Sequence, residues 1–273
     1  MFKFISDPSA AKYLLEGQIK FTPPHELNDP SELVPNVVKS DVLASLKRLR
    51  AHGYSREDLH DLWKQGKLLA RLAPEFQAIG VPKSRSEANA LVKSAFYDDV
   101  DRLESLLSHT AQLISSRVGV FCFTQRFNSL PMWAHYANNA RGVVVEFQSL
   151  DEVFTGDDTG ILNQIVAVRY DRERRGVTFE PRSHESLFFA KFADWAYEQE
   201  CRVVLPLSSC KSFPARETNI HVFEVPKRHV RRIIVGWNIS NDACHAVEQF
   251  VRDINPEVTI SKAVLERGKV QRV

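Results

Sequence analysis

The stretch W-A-Y-E-Q-E-C-R-V-V-L-P, residues 195–206, decides how this chain is read. Residues 201–205 are apolar and rich in valine, the composition of a strand. Residues 186–196 read as a helix, so Glu198 and Glu200 fall at a helix-to-strand junction. In extended backbone, residues i and i+2 share a face, which points both carboxylates into one cleft. One acid then holds a sugar hydroxyl or stabilises a cationic transition state while the other orients a nucleophile. Crowding raises the pKa of one of them. The plainer alternative is an exposed edge pair with Arg202 as counter-ion. Arg202 itself either clamps a phosphate bidentately or pairs with Glu198 or Glu200 and fixes the loop.

Working outward, residues 118–273 are strand-rich, with Val-, Ile- and Phe-rich runs at 118–124, 142–147, 165–170, 221–225, 232–235 and 258–264. Helices are expected at 131–138 and 243–253. Toward the N-terminus, residues 2–5 and 19–22 read as short strands flanking a helix that Asp7-Pro8-Ser9 starts and Gly17 ends. Residues 37–117 read as a helical lobe, with Leu59, Leu62, Trp63, Leu69 and Leu72 at helical spacing. The expected fold is α+β: a mixed or antiparallel sheet in a single domain, 1–273, with a helical insertion at 37–117.

With 273 residues and 44% hydrophobic content, the chain can bury a real core. Its net charge of +2 makes no case for nucleic acid by itself, yet does not exclude a local basic patch. The four cysteines form no C-x-x-C and read as reduced thiols in a cytoplasmic protein. No metal-ligand pattern occurs, and no apolar run is long enough to span a bilayer. Nucleotide-cradling glycine motifs are absent.

Two further constellations carry polar groups. In F-C-F-T-Q-R-F-N-S-L-P-M-W-A-H-Y, residues 121–136, a strand ends at Thr124, whose hydroxyl can bond a ligand or cap a turn. The following helix presents Trp133, Tyr136 and His135, an acid/base candidate or a packed histidine. Asn28-Asp29-Pro30-Ser31-Glu32 suits a tight turn and also offers two acids.

The series F-K-F (2–4), F-T-P (21–23), N-D-P-S-E (28–32), C-F-T (122–124), M-W-A-H-Y (132–136), W-A-Y-E-Q-E-C-R (195–202) and I-I-V-G (233–236) resembles the bacterial domain-of-unknown-function family 2971. A more distant resemblance is to ADP-ribosyltransferases of the Arg-Ser-Glu type. They share an order of parts: a basic residue on the first strand, a helical lobe, a strand ending in a Ser-Thr-Ser-like motif, and an E-x-E loop before an apolar strand. That resemblance implies a split-sheet fold and NAD as a substrate. Glu200 would bond the nicotinamide-ribose hydroxyl and favour the oxocarbenium-like transition state, and Glu198 would position or deprotonate the acceptor. Lys3 would contact NAD phosphate or ribose and Thr124 the nicotinamide ribose, with Tyr136, His135 and Arg202 completing the cofactor site. A toxin or phage-defence effector of this kind would modify RNA, DNA or protein and have an antitoxin or regulatory partner. Lysine at the basic position and C-F-T in place of Ser-Thr-Ser depart from that pattern. Two other functions compete: a metal-dependent nuclease-like enzyme using Glu198, Glu200, Asp29 and Glu32, and a non-enzymatic sensor or interaction module. The transferase expectation requires Lys3, Thr124 and Glu200 to line one cleft.

Overall fold

The computed structural model describes residues 1–29, 115–156, 162–173, 188–215 and 218–273. The expected helical lobe lies outside the described residues up to residue 114, as do Pro30, Ser31 and Glu32.

The chain opens with β1 (Phe2–Ile5), α1 (Ala11–Leu15) and β2 (Gln18–Phe21), followed by β3 (Val118–Thr124), α2 (Leu130–Tyr136) and β4 (Val143–Phe147). Short strands come next: β5 (Val166–Ala167), β6 (Arg169–Asp171) and β7 (Ala190–Phe192), then β8 (Glu200–Pro206), β9 (Lys211–Pro214) and β10 (Asn219–Glu224). The last elements are β11 (Val230–Val235), α3 (Asn241–Ile254), β12 (Thr259–Glu266) and β13 (Lys269–Arg272). The main sheet has the order β13-β12-β11-β4-β1-β3-β8-β5, with β2-β10-β9 and β6-β7 as smaller sheets. Among the described residues, only β11/β12 and β6/β7 pair in parallel. This is an α+β fold with mixed, mostly antiparallel sheets.

Strand β4 shows how the centre of the main sheet is covered on both faces. Val143, Val145 and Phe147 face one apolar cluster with α1 and α3, while Val144 faces a second with Met132 and Trp133 of α2. Its near-continuous apolar run is what a strand covered on both sides requires. Helix α3 joins the parallel strands β11 and β12; the Ser240 hydroxyl caps it, and Val247 and Val251 turn inward. At the start of β4, Gly142 lies so close to β1 that a Cβ there would collide with the Ile5 carbonyl oxygen. Gly142→Ala is therefore expected to cost about 1–3 kcal/mol, read as a lower urea midpoint.

One irregularity in the sheet matters for function. β1 pairs with β4 along its whole length, from Phe2↔Glu146 to Ile5↔Val143, but meets β3 only at Phe2↔Thr124. Further along, β3 is bridged by Thr22, whose N–H donates to the Val120 carbonyl at 3.0 Å. Between these two points β1 and β3 part. The Cys122 carbonyl in the gap accepts instead from Lys3 Nζ at 2.7 Å. A lysine ammonium thus stands in for a ladder hydrogen bond.

Three expectations need correction. Residues 186–196 do not form one helix: Ala190–Phe192 is a strand and Ala193–Glu198 a 3-10 helix. In the run F-F-A-K-F, Phe188, Phe189 and Lys191 are buried and Phe192 is exposed, so alternation holds only from Phe189, within the short strand. Residues 165–170 divide into β5 and β6, which pair with different partners. Strands β9 and β13 were not anticipated, the first being exposed along its length and the second nearly so.

Candidate functional site

A cavity of about 130 Å³ occupies the split between β1 and β3. Its polar lining includes Lys3 of β1, Cys122 and Thr124 of β3, Tyr136 of α2, and Lys191, Glu198 and Glu200, beside apolar residues such as Phe2 and Met132.

Glu198 ends the 3-10 helix and Glu200 opens β8. They do not converge by simple strand alternation. Gln199 between them is left-handed, with φ 43° and ψ 51°. That conformation is unfavourable for a non-glycine residue, and the surrounding bonds hold it. Thr124 Oγ1 donates to the Glu198 carbonyl at 2.6 Å, and the Glu200 N–H donates to the Tyr170 hydroxyl at 2.8 Å.

Lys191, on β7, bridges the pair: its Nζ lies 2.7 Å from Glu198 Oε2 and 3.4 Å from Glu200 Oε2. It also sits 4.6 Å from the centroid of the Trp195 ring. Arg202, two residues along β8, grips both oxygens of Glu200 at 2.7 and 3.0 Å and donates to the Phe188 carbonyl at 2.8 Å. The Cys122 thiol also hydrogen-bonds Glu200. Two acids and two bases therefore form one buried chain, Glu198–Lys191–Glu200–Arg202, with Arg202 fully enclosed.

The two carboxyls diverge in proton affinity. Burial opposes ionisation of Glu200, but the charge and hydrogen bonds of Arg202, with help from Lys191, outweigh it and hold the carboxyl down at about 2. Burial dominates at Glu198 and pushes its carboxyl above the usual range, against the hydrogen bonds from Lys191 and Tyr136. Tyr136 donates to Glu198 Oε1 and accepts from Asn28 Nδ2, the latter at 2.7 Å. Burial, then the neighbouring Glu198, push the Tyr136 phenol above its ordinary value. Glu200 is thus the more acidic of the two, and Glu198 the one that holds a proton more tightly.

Of the residues singled out from sequence, Lys3, Thr124, Tyr136, Glu198 and Glu200 line the cavity together. Arg202 lies behind Glu200 as its ion-pair partner rather than as a free phosphate clamp. His135 points elsewhere, its Nδ1 3.0 Å from the Tyr197 hydroxyl. Thr124 faces the cavity with its hydroxyl already engaged on the Glu198 loop. Among the described residues, no three His, Cys, Asp or Glu side chains converge as metal ligands, and Glu32 lies outside them. Lys191 and Tyr170 escaped the sequence reading. The lone lysine inside the apolar run F-F-A-K-F is the signal that could have found Lys191.

No helix among the described residues is long and apolar enough to cross a membrane. No curated protein and no solved structure matches the chain. Residues 132–203, which supply Tyr136, Lys191 and both glutamates, match the family model described as "Protein of unknown function (DUF2971)".

Proposed function

We propose that this chain is an NAD-consuming, ADP-ribosyltransferase-like enzyme with Glu198 as its proton-accepting group. The observation that carries the reading is the pair of glutamates around one lysine ammonium, opposite in proton affinity, on the wall of a cavity that Lys3 and Thr124 also line.

In such a transfer the bond between the nicotinamide nitrogen and ribose C1′ breaks, and its electron pair leaves with nicotinamide. Positive charge develops on the ribose, the acceptor nucleophile bonds C1′, and its proton must go to a base. Glu198 suits that last task, because a carboxyl raised toward neutral pH is the better general base. Glu200, ionised at all ordinary pH, supplies fixed negative charge beside the developing cation. Among the described residues, Lys3 has one of its three donors on the Cys122 carbonyl, which leaves two for a phosphate or ribose oxygen. Lys191 and Tyr136 orient Glu198 and set its proton affinity.

The test uses NAD labelled in its adenylate half, with RNA, DNA and cell lysate as acceptors. The wild-type protein is expected to release nicotinamide and transfer label. Glu198→Gln should slow both by about 10²–10⁴-fold. A wild-type protein that neither releases nicotinamide nor labels any acceptor overturns the reading, as does Glu198→Gln working at the wild-type rate.

A further inference from the structure

We propose that Arg231, Arg232 and Arg272 form a docking site for the phosphodiester backbone of a single-stranded nucleic acid, which leads that strand toward the cavity. The three guanidinium groups meet at one carboxylate. Glu146 lies 3.4 Å from Arg231 and 3.2 Å from both Arg232 and Arg272. The glutamate side chain is nearly buried, while those of Arg231 and Arg272 are 55% and 34% exposed.

Neutralising one buried glutamate needs one arginine, and Arg232 meets that need. It is the least exposed of the three and is fixed further by its bond to Thr259 Oγ1 at 3.0 Å. Arg231 and Arg272 are surplus, so the cluster carries a net positive charge. Arg231 reaches the same carboxylate because the β4/β11 ladder is bulged there: Val230 opposes Phe147 and Arg232 opposes Glu146, leaving Arg231 as the inserted residue. A bulge that turns consecutive arginines onto one spot sacrifices ladder regularity and concentrates charge.

The cluster is also in the right place. Paired positions across the sheet run Arg232, Glu146, Phe2, Thr124, Glu200, so their side chains share one face. At about 4.8 Å between strands, Glu146 lies about 10 Å from Thr124 on the cavity wall. Phe2, which lines the cavity, packs on Phe127 at 5.6 Å between ring centroids, and Arg272 sits 5.4 Å from the same Phe127 ring. Arginines interleaved with an aromatic ring hold phosphates and stack an unpaired base, which only a single strand offers.

This names the acceptor class of the transferase reading and rests on that reading for its catalytic meaning, but the binding itself is measured without NAD. Fluorescence anisotropy with labelled single-stranded RNA and DNA of about a dozen nucleotides is the experiment. Wild-type affinity is expected to fall with salt at a log–log slope of about −1.4, for about two phosphates neutralised on a single strand by the two surplus arginines. The double variant Arg231→Gln, Arg272→Gln keeps Arg232 on Glu146, so the buried carboxylate retains its partner and the melting temperature reports folding. It should bind about tenfold or more weakly at about 0.1 M salt, with the slope reduced toward zero. Phe127→Ala should weaken binding and leave the slope unchanged. Preference between the RNA and DNA arms identifies the source of the strand. Absence of wild-type binding, an unchanged slope in the folded double variant, or equal binding of poly-glutamate overturns the proposal. Glu198→Gln should bind as the wild type does. Nicotinamide release without oligonucleotide binding therefore sinks only this inference, and binding without NAD turnover sinks only the transferase.

Discussion

Replacing Arg202 by alanine is expected to destabilise the protein by about 3–5 kcal/mol, enough to unfold a marginal domain at ordinary temperature. The guanidinium is wholly enclosed, grips both oxygens of Glu200 and satisfies the Phe188 carbonyl. Removing it strands a buried carboxylate whose remaining cation, Lys191, lies 3.4 Å away and is shared with Glu198. The pH dependence separates charge from packing. Glu200 is held at about 2 against an ordinary 4.5, so its pairing adds stability that is complete above about pH 4.5 and is lost as pH falls through about 2. That difference corresponds to about 3 kcal/mol. In Arg202→Ala, burial meets much weaker opposition, so Glu200 takes up a proton at higher pH than in the wild type. Urea midpoints should therefore show the gap between variant and wild type narrowing as pH is lowered from about 7 to about 3. A gap independent of pH would mean that Arg202 matters through packing alone. Arg202→Lys keeps the charge but loses the two-pronged grip, and should cost about half as much.

The sequence carried the two acids and their strand because those signals are local. A valine-rich run after E-x-E marks β8, and an apolar run ending in threonine marks β3. What joins them is not local. The cavity exists because β1 and β3 share a single residue pair, a long-range register that no nearby residue announces. The glutamates converge through a left-handed Gln199, although that residue type gives no hint of positive φ. Lys191 was missed because two- and three-residue strands have too little period to read, and parallel β6 and β7 define each other only once paired. The arginine cluster shows the same limit: Arg231 and Arg232 read as the polar start of a strand until the bulge and β13 bring them to Glu146 beside Arg272.

Lys191→Met should give the largest effect on activity that leaves both glutamates in place. In the wild type, burial raises the Glu198 carboxyl, and the hydrogen bond and charge of Lys191 are the strongest forces holding it down. Without the ammonium, Glu198 shares its cavity wall with the more acidic Glu200 and, among the described residues, its carboxyl keeps the Tyr136 hydrogen bond alone. Its pKa must rise further. In the proposed transfer the deprotonated carboxylate is the base, so the rate should climb with pH through that pKa, and a higher pKa should displace the acid limb to higher pH. Nicotinamide release by Lys191→Met is expected to fall about 10²-fold or more near pH 7 and to recover as pH rises. Tyr136→Phe removes a weaker restraint on the same carboxyl and should move the limb in the same direction by less. Stability changes with the opposite sign from Glu200. A carboxyl raised by folding adds stability below its unfolded value of about 4.5 and loses it as pH rises through the folded value. The variant should therefore be most weakened at neutral pH and least weakened in acid. If the acid limb stays in place in both variants, the rate reports some other group, and Glu198 does not accept the proton.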